Sequence, residues 1–172
     1  MAANMLGRCY EHGWGAPACD KTAAHWYARA ADAGLDWGQY NYATSLQLGR
    51  GVPQDRAQAF AFFQAAAAQG HAKSINVLGG FYEDGWEVDA DTAMALRCYL
   101  LAAEGGDFRG QFNAARLLAL ANRADDALAW MQAVPRTATP AFLAKAHDFL
   151  AGHPDARLRA LACVLNTPSP CC

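Results

Sequence analysis

Residues 13–34 read GWGAPACDKTAAHWYARAADAG, and two later stretches, 49–70 and 85–106, repeat their pattern. The interval between successive copies is 36 residues. Each copy begins and ends with glycine, and an aromatic residue and several alanines recur at matching places: Ala23, Ala59 and Ala95; Tyr27, Phe63 and Tyr99; Ala30, Ala66 and Ala102; Ala31, Ala67 and Ala103. Self-similarity at a fixed step of this length is typical of stacked repeats.

The first copy predicts a pair of helices. Residues 2–12 carry apolar side chains at helical spacing, and Gly13 follows where a left-handed residue would end the helix. The turn then reaches Asp20, the predicted N-cap of a second helix from 21 to about 33. Gly34 closes the unit, so one repeat is a helix, a turn and a second helix.

The same pattern predicts four repeats. Asp55 and Asp91 are the expected N-caps of the second helices in the next two copies. After Gly106 the pattern weakens, because Ala121 stands where the turn glycine is expected, and a short-looped fourth copy follows. The expected units are repeats over about 2–36, 37–72, 73–107 and 108–135, a helical cap over 139–166, and a flexible tail over 167–172. Small alanines on the second helices allow the close crossings that stacking needs.

Composition limits the classes of partner. The chain has 172 residues, a formal net charge of −2 and a pI near 6.2, and its basic residues form no run. Nucleic-acid binders carry a basic patch, so no nucleic-acid partner is expected. No charge-free apolar window of about 18 residues occurs, which argues against membrane insertion.

The N-terminal residues 1–8 lack the basic region, apolar core and cleavage site of a secretory signal. A cytoplasmic location is therefore expected, or a periplasmic or secreted one if a leader was removed. The sequence does not define an oligomeric state, and a monomer is favoured.

The six cysteines and five histidines do not predict a metal site. No Cys-x-x-Cys pair occurs, and the cysteines share no common phase in the repeat, so we expect reduced thiols. The spacing of the one conceivable zinc set resembles no finger pattern. That set comprises His147, His153, Cys163, Cys171 and Cys172.

Cofactor binding and catalysis have little support. The repeated glycines end helices instead of opening them, so no phosphate-binding loop and no cofactor are predicted. Glu83, Asp84 and Glu87 crowd the third turn, where a general acid–base pair is conceivable, but caps and solvated turns use the same residues. We therefore assign no catalytic residue.

The repeat unit closely resembles the Sel1-like repeat, one of the tetratricopeptide-like superhelices, over roughly residues 2–135. The residues that carry the resemblance are Leu6, Gly7, Tyr10 and Gly13; GRGVPQD at 49–55; Trp26, Tyr27, Ala30, Ala31 and Gly34; and Gln69, Gly70 and His71. The departures are Cys19, Glu87 and Ala121, and the paired cysteines of the cysteine-rich branch are missing.

The resemblance implies an all-α, right-handed α/α superhelix without shared catalytic residues. It implies adaptor work: scaffolding of signalling or secretion assemblies, host contact, or bacterial immunity and regulatory binding. His71 matches the family's histidine after the glycine, and we interpret it as structural. The expected function is non-catalytic protein binding; a small hydrolase-like enzyme and a self-assembling structural subunit remain alternatives.

In such a superhelix, the first helix of each pair lines the concave face. Because Leu6, Gly7 and Tyr10 face the core, positions 4, 8, 11 and 12 point into the groove. The repeat step, together with the position one turn earlier at Trp37, Lys73 and Arg109, gives the predicted partner-binding residues Asn4, Arg8, His12, Trp37, Tyr40, Thr44, Lys73, Asn76, Arg109, Phe112 and Arg116. Amides, arginines and aromatic anchors of this kind suit an extended or helical peptide.

Two alternatives to the groove assignment remain open. Part of the set is expected to be ordinary solvated surface. On the turns, Trp14 and Trp86 share one phase with Arg50 between them, and they form either a second contact surface or packing against the neighbouring repeat. We expect Arg116→Glu to weaken partner binding with little change in melting temperature.

Overall fold

The computed structural model describes residues 1–165, so the predicted tail and the last two cysteines lie outside the described residues. The described chain contains ten α-helices, a short 3-10 helix (Val134–Arg136) and no strand. The helices are α1 (Ala2–His12), α2 (Asp20–Asp32), α3 (Asp36–Leu48), α4 (Arg56–Ala68), α5 (Ala72–Asp84), α6 (Thr92–Glu104), α7 (Phe108–Leu120), α8 (Ala124–Ala133), α9 (Pro140–Ala151) and α10 (Ala156–Leu165).

The helices stack in chain order. From α1 to α8, each helix packs against the next one, and α10 packs on α9 and returns to α7 and α8. Contacts that run mainly between neighbours define a solenoid. The predicted all-α solenoid of helix-turn-helix repeats is therefore confirmed.

Small residues allow successive repeats to approach closely. A Cβ atom added at Gly38 on α3 would lie 2.5 Å from the Cβ of Ala30 on α2. At Gly110 on α7, it would lie 2.7 Å from the Cβ of Ala102 on α6. The repeated alanines thus form the crossing points at which one helix pair meets the next.

Glycines end the first helix of the first three pairs. Gly13, Gly49 and Gly85 adopt φ values of 71°, 67° and 70°, the left-handed conformation that a helix C-cap commonly requires. Two residues further along the third turn, Glu87 adopts φ 60° where the other two turns have glycine. The third turn therefore keeps the shape of the others at the cost of backbone strain.

Two of the predicted N-caps are confirmed and one is wrong. The Asp55 carboxylate accepts from the Gln58 backbone N–H, and that of Asp91 from Met94, each at 2.9 Å. In the first repeat, Cys19 occupies the N-cap position, and Asp20 is the first helical residue. The 36-residue register, which aligns Cys19 with the two aspartates, explains this difference.

The C-terminal end has the largest apolar cluster. Residues 121–123 join α7 to α8, and α9 and α10 cover the apolar side of this pair. Met131, Leu150 and Leu158 are fully buried there. A stacked array needs such a cover because its last unit would otherwise expose an apolar face.

Candidate functional site

A cleft of about 700 Å³ lies between α1, α3 and the start of α5. We call it the N-terminal cleft. It brings together six of the predicted partner-binding residues from three repeats: Asn4, Arg8, His12, Trp37, Tyr40 and Lys73. Met1, Met5, Leu35, Asn41, Glu11 and Asp36 complete its lining.

Cations lie on aromatic rings around this cleft. The Lys73 ammonium lies 4.9 Å from the centroid of the Trp37 ring, and the Arg8 guanidinium lies 5.3 Å from that of Trp14. Trp37 remains 45% exposed. Cation–π contacts hold the charged groups in place without neutralising them.

The carboxylates of the cleft each accept a hydrogen bond from another group of the chain. Glu11 accepts from the Tyr27 hydroxyl at 2.5 Å, and Asp36 accepts from the Trp37 backbone N–H at 2.7 Å. Burial and the hydrogen bond to Glu11 raise the pKa of Tyr27. Tyr27 is therefore a neutral donor that holds Glu11 against α2.

His71 supports the aromatic wall of the cleft and is the N-cap of α5, in agreement with its predicted structural role. Its ring centroid lies 4.6 Å from that of Trp37 and 4.9 Å from that of Tyr40. Nδ1 accepts from the Ser74 backbone N–H, which can only donate, so the neutral ring carries its proton on Nε2. Burial lowers the pKa of His71 and favours this neutral form.

Asp107 occupies the same register as His71, one repeat later, and sequence analysis missed it. It is 6% exposed and accepts from the Gly110 backbone N–H at 3.0 Å. Burial raises its pKa. With Trp37, His71 and Lys73, it lines a second cleft of about 420 Å³ beside the first. A 36-residue step from His71 would have identified it.

The C-terminal part of the predicted groove is largely occupied by the protein itself. Phe112 is 9% exposed, and its ring packs on those of Phe142 and Phe149 from α9, at 5.6 and 6.2 Å. The sequence predicts Phe112 as a groove anchor, and in the structure α9 covers most of its ring. Arg116 forms an ion pair with Glu83 instead of presenting a free guanidinium. These side chains border a cleft of about 440 Å³ beneath α9.

The remaining predicted groove residues make internal contacts. The Asn76 side chain accepts a hydrogen bond from the Asn113 side chain at 3.0 Å. Two repeats earlier, Asn4 accepts from Asn41 in the same way at 2.8 Å. These two hydrogen bonds between amide side chains link the first helices of adjacent repeats. Thr44 donates to the Tyr40 backbone carbonyl, and Arg109 lies over the rings of Phe108 and Phe142.

The three turn residues have different surroundings. Trp14 is 52% exposed and contacts Arg8 and His12 of its own repeat. Trp86 packs edge-on against Phe81 and lies under Arg56. Arg50 borders a small cavity of about 150 Å³ between the first two repeats. Trp86, which is 40% exposed, thus contacts its own repeat through Phe81 and the preceding repeat through Arg56.

Residues 1–165 contain no cluster of three or more histidine, cysteine, aspartate or glutamate side chains that could hold a metal ion. None of their helices is long and apolar enough to cross a membrane. Cys9, Cys19, Cys98 and Cys163 are free thiols.

Comparison with known proteins identifies the repeats. The Sel1 repeat profile matches residues 1–35, 38–71 and 72–107. Chitin synthase regulatory factor 3 of Schizosaccharomyces pombe is 35% identical over 106 residues, which are 59% of this chain and 11% of that protein.

Two solved structures share the fold. A protective antigen of uropathogenic Escherichia coli strains, described as displaying an SLR fold, has a TM-score of 0.76 and 25% identity over 95% of this chain and 36% of its own. A Sel1 repeat protein of Oxalobacter formigenes has a TM-score of 0.71 and 25% identity, over 82% of this chain and 42% of its own. This chain thus spans about a tenth of the curated relative and under half of either solved chain. Because the profile matches cover most of the solenoid and the fold agrees, the chain belongs to the Sel1-repeat family.

Proposed function

We propose that the protein is a non-catalytic interaction module that holds a peptide, or a peptide-like segment of a protein partner, in the N-terminal cleft. The observation that carries this proposal is the convergence of Trp37 and Tyr40 with Arg8 and Lys73 around an open volume of about 700 Å³. Such a module would act as an adaptor, a scaffold or a regulatory or immunity-type binder.

The chemistry of the cleft suits a peptide. Large aromatic rings supply most of the affinity at protein interfaces, and Trp37 presents nearly half of its surface to solvent. Asn4 and Asn41 place an amide pair beside it, and unused amide donors and acceptors can meet a peptide backbone. The same helices that form the solenoid hold these groups, so little ordering is needed on binding.

The relatives are consistent with this function. Sel1-repeat scaffolds generally mediate protein interactions, and the Schizosaccharomyces pombe relative is named as a regulatory factor. The hydrolase alternative has weaker support, because Glu83, one of the three carboxylates near the third turn, accepts from both Arg116 and Tyr99. These donors stabilise the ionised carboxylate of Glu83 and hold it in a structural contact between helices.

The test compares three forms of the protein as bait in a lysate of its native organism. They are the wild type, a cleft variant carrying Arg8→Glu and Trp37→Ala, and a control, Arg97→Glu, at an exposed position on α6. Retained proteins are identified by mass spectrometry, and circular dichroism checks that each variant is helical.

The proposal expects a partner that the wild type and the Arg97→Glu control retain and the cleft variant loses. Isothermal titration with the purified partner then measures the affinity of each form. A partner held equally by all three forms would place binding elsewhere on the solenoid and contradict the proposal.

A further inference from the structure

The carboxylates and the cations around the N-terminal cleft differ in their partners within the protein. Among residues 1–165, Glu11, Asp36 and Asp107 each accept a hydrogen bond from another group of the protein. The donors are a tyrosine hydroxyl and two backbone N–H groups. One oxygen of each of these carboxylates is therefore already hydrogen-bonded before any ligand arrives.

The cations have no such partners. Within the described chain, Arg8, Lys73 and Arg109 form no ion pair within 4 Å and contact aromatic rings instead. A ring face attracts a cation but accepts few of its N–H donors. Five donors on each guanidinium and three on the ammonium thus remain available for charged acceptors.

These cations act on one surface. Arg8 and Lys73 line the same cleft from α1 and α5. Lys73 and Arg109 occupy equivalent positions in successive repeats. Arg109 lies over the ring of Phe108, which lines the second cleft together with Trp37 and Lys73.

We propose that the occupant of the N-terminal cleft is an acidic, extended peptide segment. Its carboxylates pair with Arg8, Lys73 and Arg109, and an apolar side chain between them contacts Trp37. This inference rests on the proposed function and adds the chemical class of the partner. A long polyanion fits less well, because the whole chain is acidic at −2 and the three cations form no continuous run.

The test uses three matched pools of synthetic random peptides of about twelve residues, long enough to cross several repeats when extended. One pool has aspartate or glutamate at four fixed positions, the second has asparagine or glutamine there, and the third has lysine. Fluorescence anisotropy measures binding to the wild type, Arg8→Gln, Lys73→Gln, Trp37→Ala and a control, Arg97→Gln. An oligothymidylate serves as a polyanion without peptide chemistry.

The acidic pool is expected to bind about tenfold more tightly than the amide pool, and the lysine pool more weakly than both. Arg8→Gln and Lys73→Gln should each lower the affinity for the acidic pool about three- to tenfold, and Arg97→Gln should lower it less than about twofold. Raising the salt concentration should lower the affinity for the acidic pool more than that for the other pools.

The other outcomes are distinct. Equal binding of the acidic and amide pools, with loss on Trp37→Ala, overturns the acidic partner and leaves the proposed function standing. If the acidic pool binds and neither Arg8→Gln nor Lys73→Gln weakens that binding, the peptide does not bind in the N-terminal cleft. Equal affinity for oligothymidylate overturns the peptide class. Binding of no pool contradicts both this inference and the proposed function.

Discussion

Arg116 donates from Nη2 to both carboxylate oxygens of Glu83, at 2.7 and 2.6 Å, and so ties α7 to α5. The Tyr99 hydroxyl on α6 donates to the same carboxylate at 2.8 Å. Burial opposes the ionisation of Glu83, but these donors outweigh it, so the pKa of Glu83 lies below its ordinary value. One carboxylate thus connects three helices of two repeats.

Arg116→Glu is expected to lower the free energy of unfolding by about 1–3 kcal/mol, because it places a second carboxylate against a half-buried one. This replaces the expectation from sequence of an unchanged melting temperature. Urea unfolding followed by circular dichroism measures the effect. Arg97→Glu, at an exposed position, should change stability by less than about 0.5 kcal/mol.

The cost of Arg116→Glu should depend on pH. Because the folded pKa of Glu83 is depressed, its stabilising contribution is present above the unfolded value of 4.5 and is lost as pH falls below it. The difference between wild type and variant should therefore shrink between about pH 5 and pH 3. A difference that stays constant over this range would contradict the ionic origin of the effect.

Two adjacent glycines on α5 should respond oppositely to alanine. A Cβ at Gly79 would lie 2.5 Å from a ring carbon of Tyr99, whereas a Cβ at Gly80 would meet only the Tyr99 hydroxyl, at 3.8 Å. Gly79→Ala should destabilise the protein by about 1–3 kcal/mol through overpacking. Gly80→Ala should stabilise it by about 0.4–1 kcal/mol, since alanine favours the helix. Thermal unfolding of both variants tests the pair.

The second repeat suggests a partial rescue. There Ala43 replaces the glycine, and Phe63 replaces the tyrosine. Without a hydroxyl bonded to Glu83, the ring of Tyr99→Phe is freer to move from an added methyl group. The double variant Gly79→Ala/Tyr99→Phe should therefore lose less stability than the two single changes summed, as a double-mutant cycle measures.

His71 should make stability rise with pH near neutrality. Its folded pKa is lower than the unfolded value of 6.5, so its contribution is present above 6.5 and is lost as pH falls towards the folded pKa. Asp36 raises this pKa and Lys73 lowers it. Unfolding curves from pH 5 to pH 8 should show a smaller pH dependence in His71→Asn, which keeps an N-cap acceptor that does not titrate. Identical pH profiles would exclude this role.

Asp107→Asn should stabilise the protein at pH 7. The folded pKa of Asp107 is raised, so its favourable contribution is present below the unfolded value of 3.8 and is lost as pH rises through the folded pKa. Asparagine keeps the N-cap bond to Gly110 without burying a charge. The gain should vanish near pH 3. Asp107→Ala is the control and should cost about 0.5–2 kcal/mol, because it removes the cap.

The helices and turns were largely predictable because they depend on local chemistry. Glycines at 36-residue intervals end the first helices, and Asp55 and Asp91 cap the second ones. The error at Asp20 is also local, since the repeat register should have outweighed the general preference of aspartate for N-caps. Six members of the N-terminal cleft followed from the same periodicity, because equivalent positions of stacked helices share one face.

Periodicity could not predict which groove residues remain accessible. Phe112 and Arg116 occupy the same helical positions as Asn4 and Arg8. They differ because α9 packs over Phe112 and because Glu83 of the preceding repeat reaches Arg116. Neither contact follows from the repeat pattern, since α9 lies outside it and the ion pair joins residues 33 positions apart.

The sequence by itself determined the repeat, the all-α class and most of the helix ends. These depend on interactions within about one turn of helix or on a strict 36-residue step. Only the tertiary structure decided that carboxylates around the cleft are hydrogen-bonded internally while Arg8, Lys73 and Arg109 keep their charges available. The bond of Tyr27 to Glu11 joins two helices, and the presence or absence of an acceptor within about 3 Å of each cation is also set by how the helices pack.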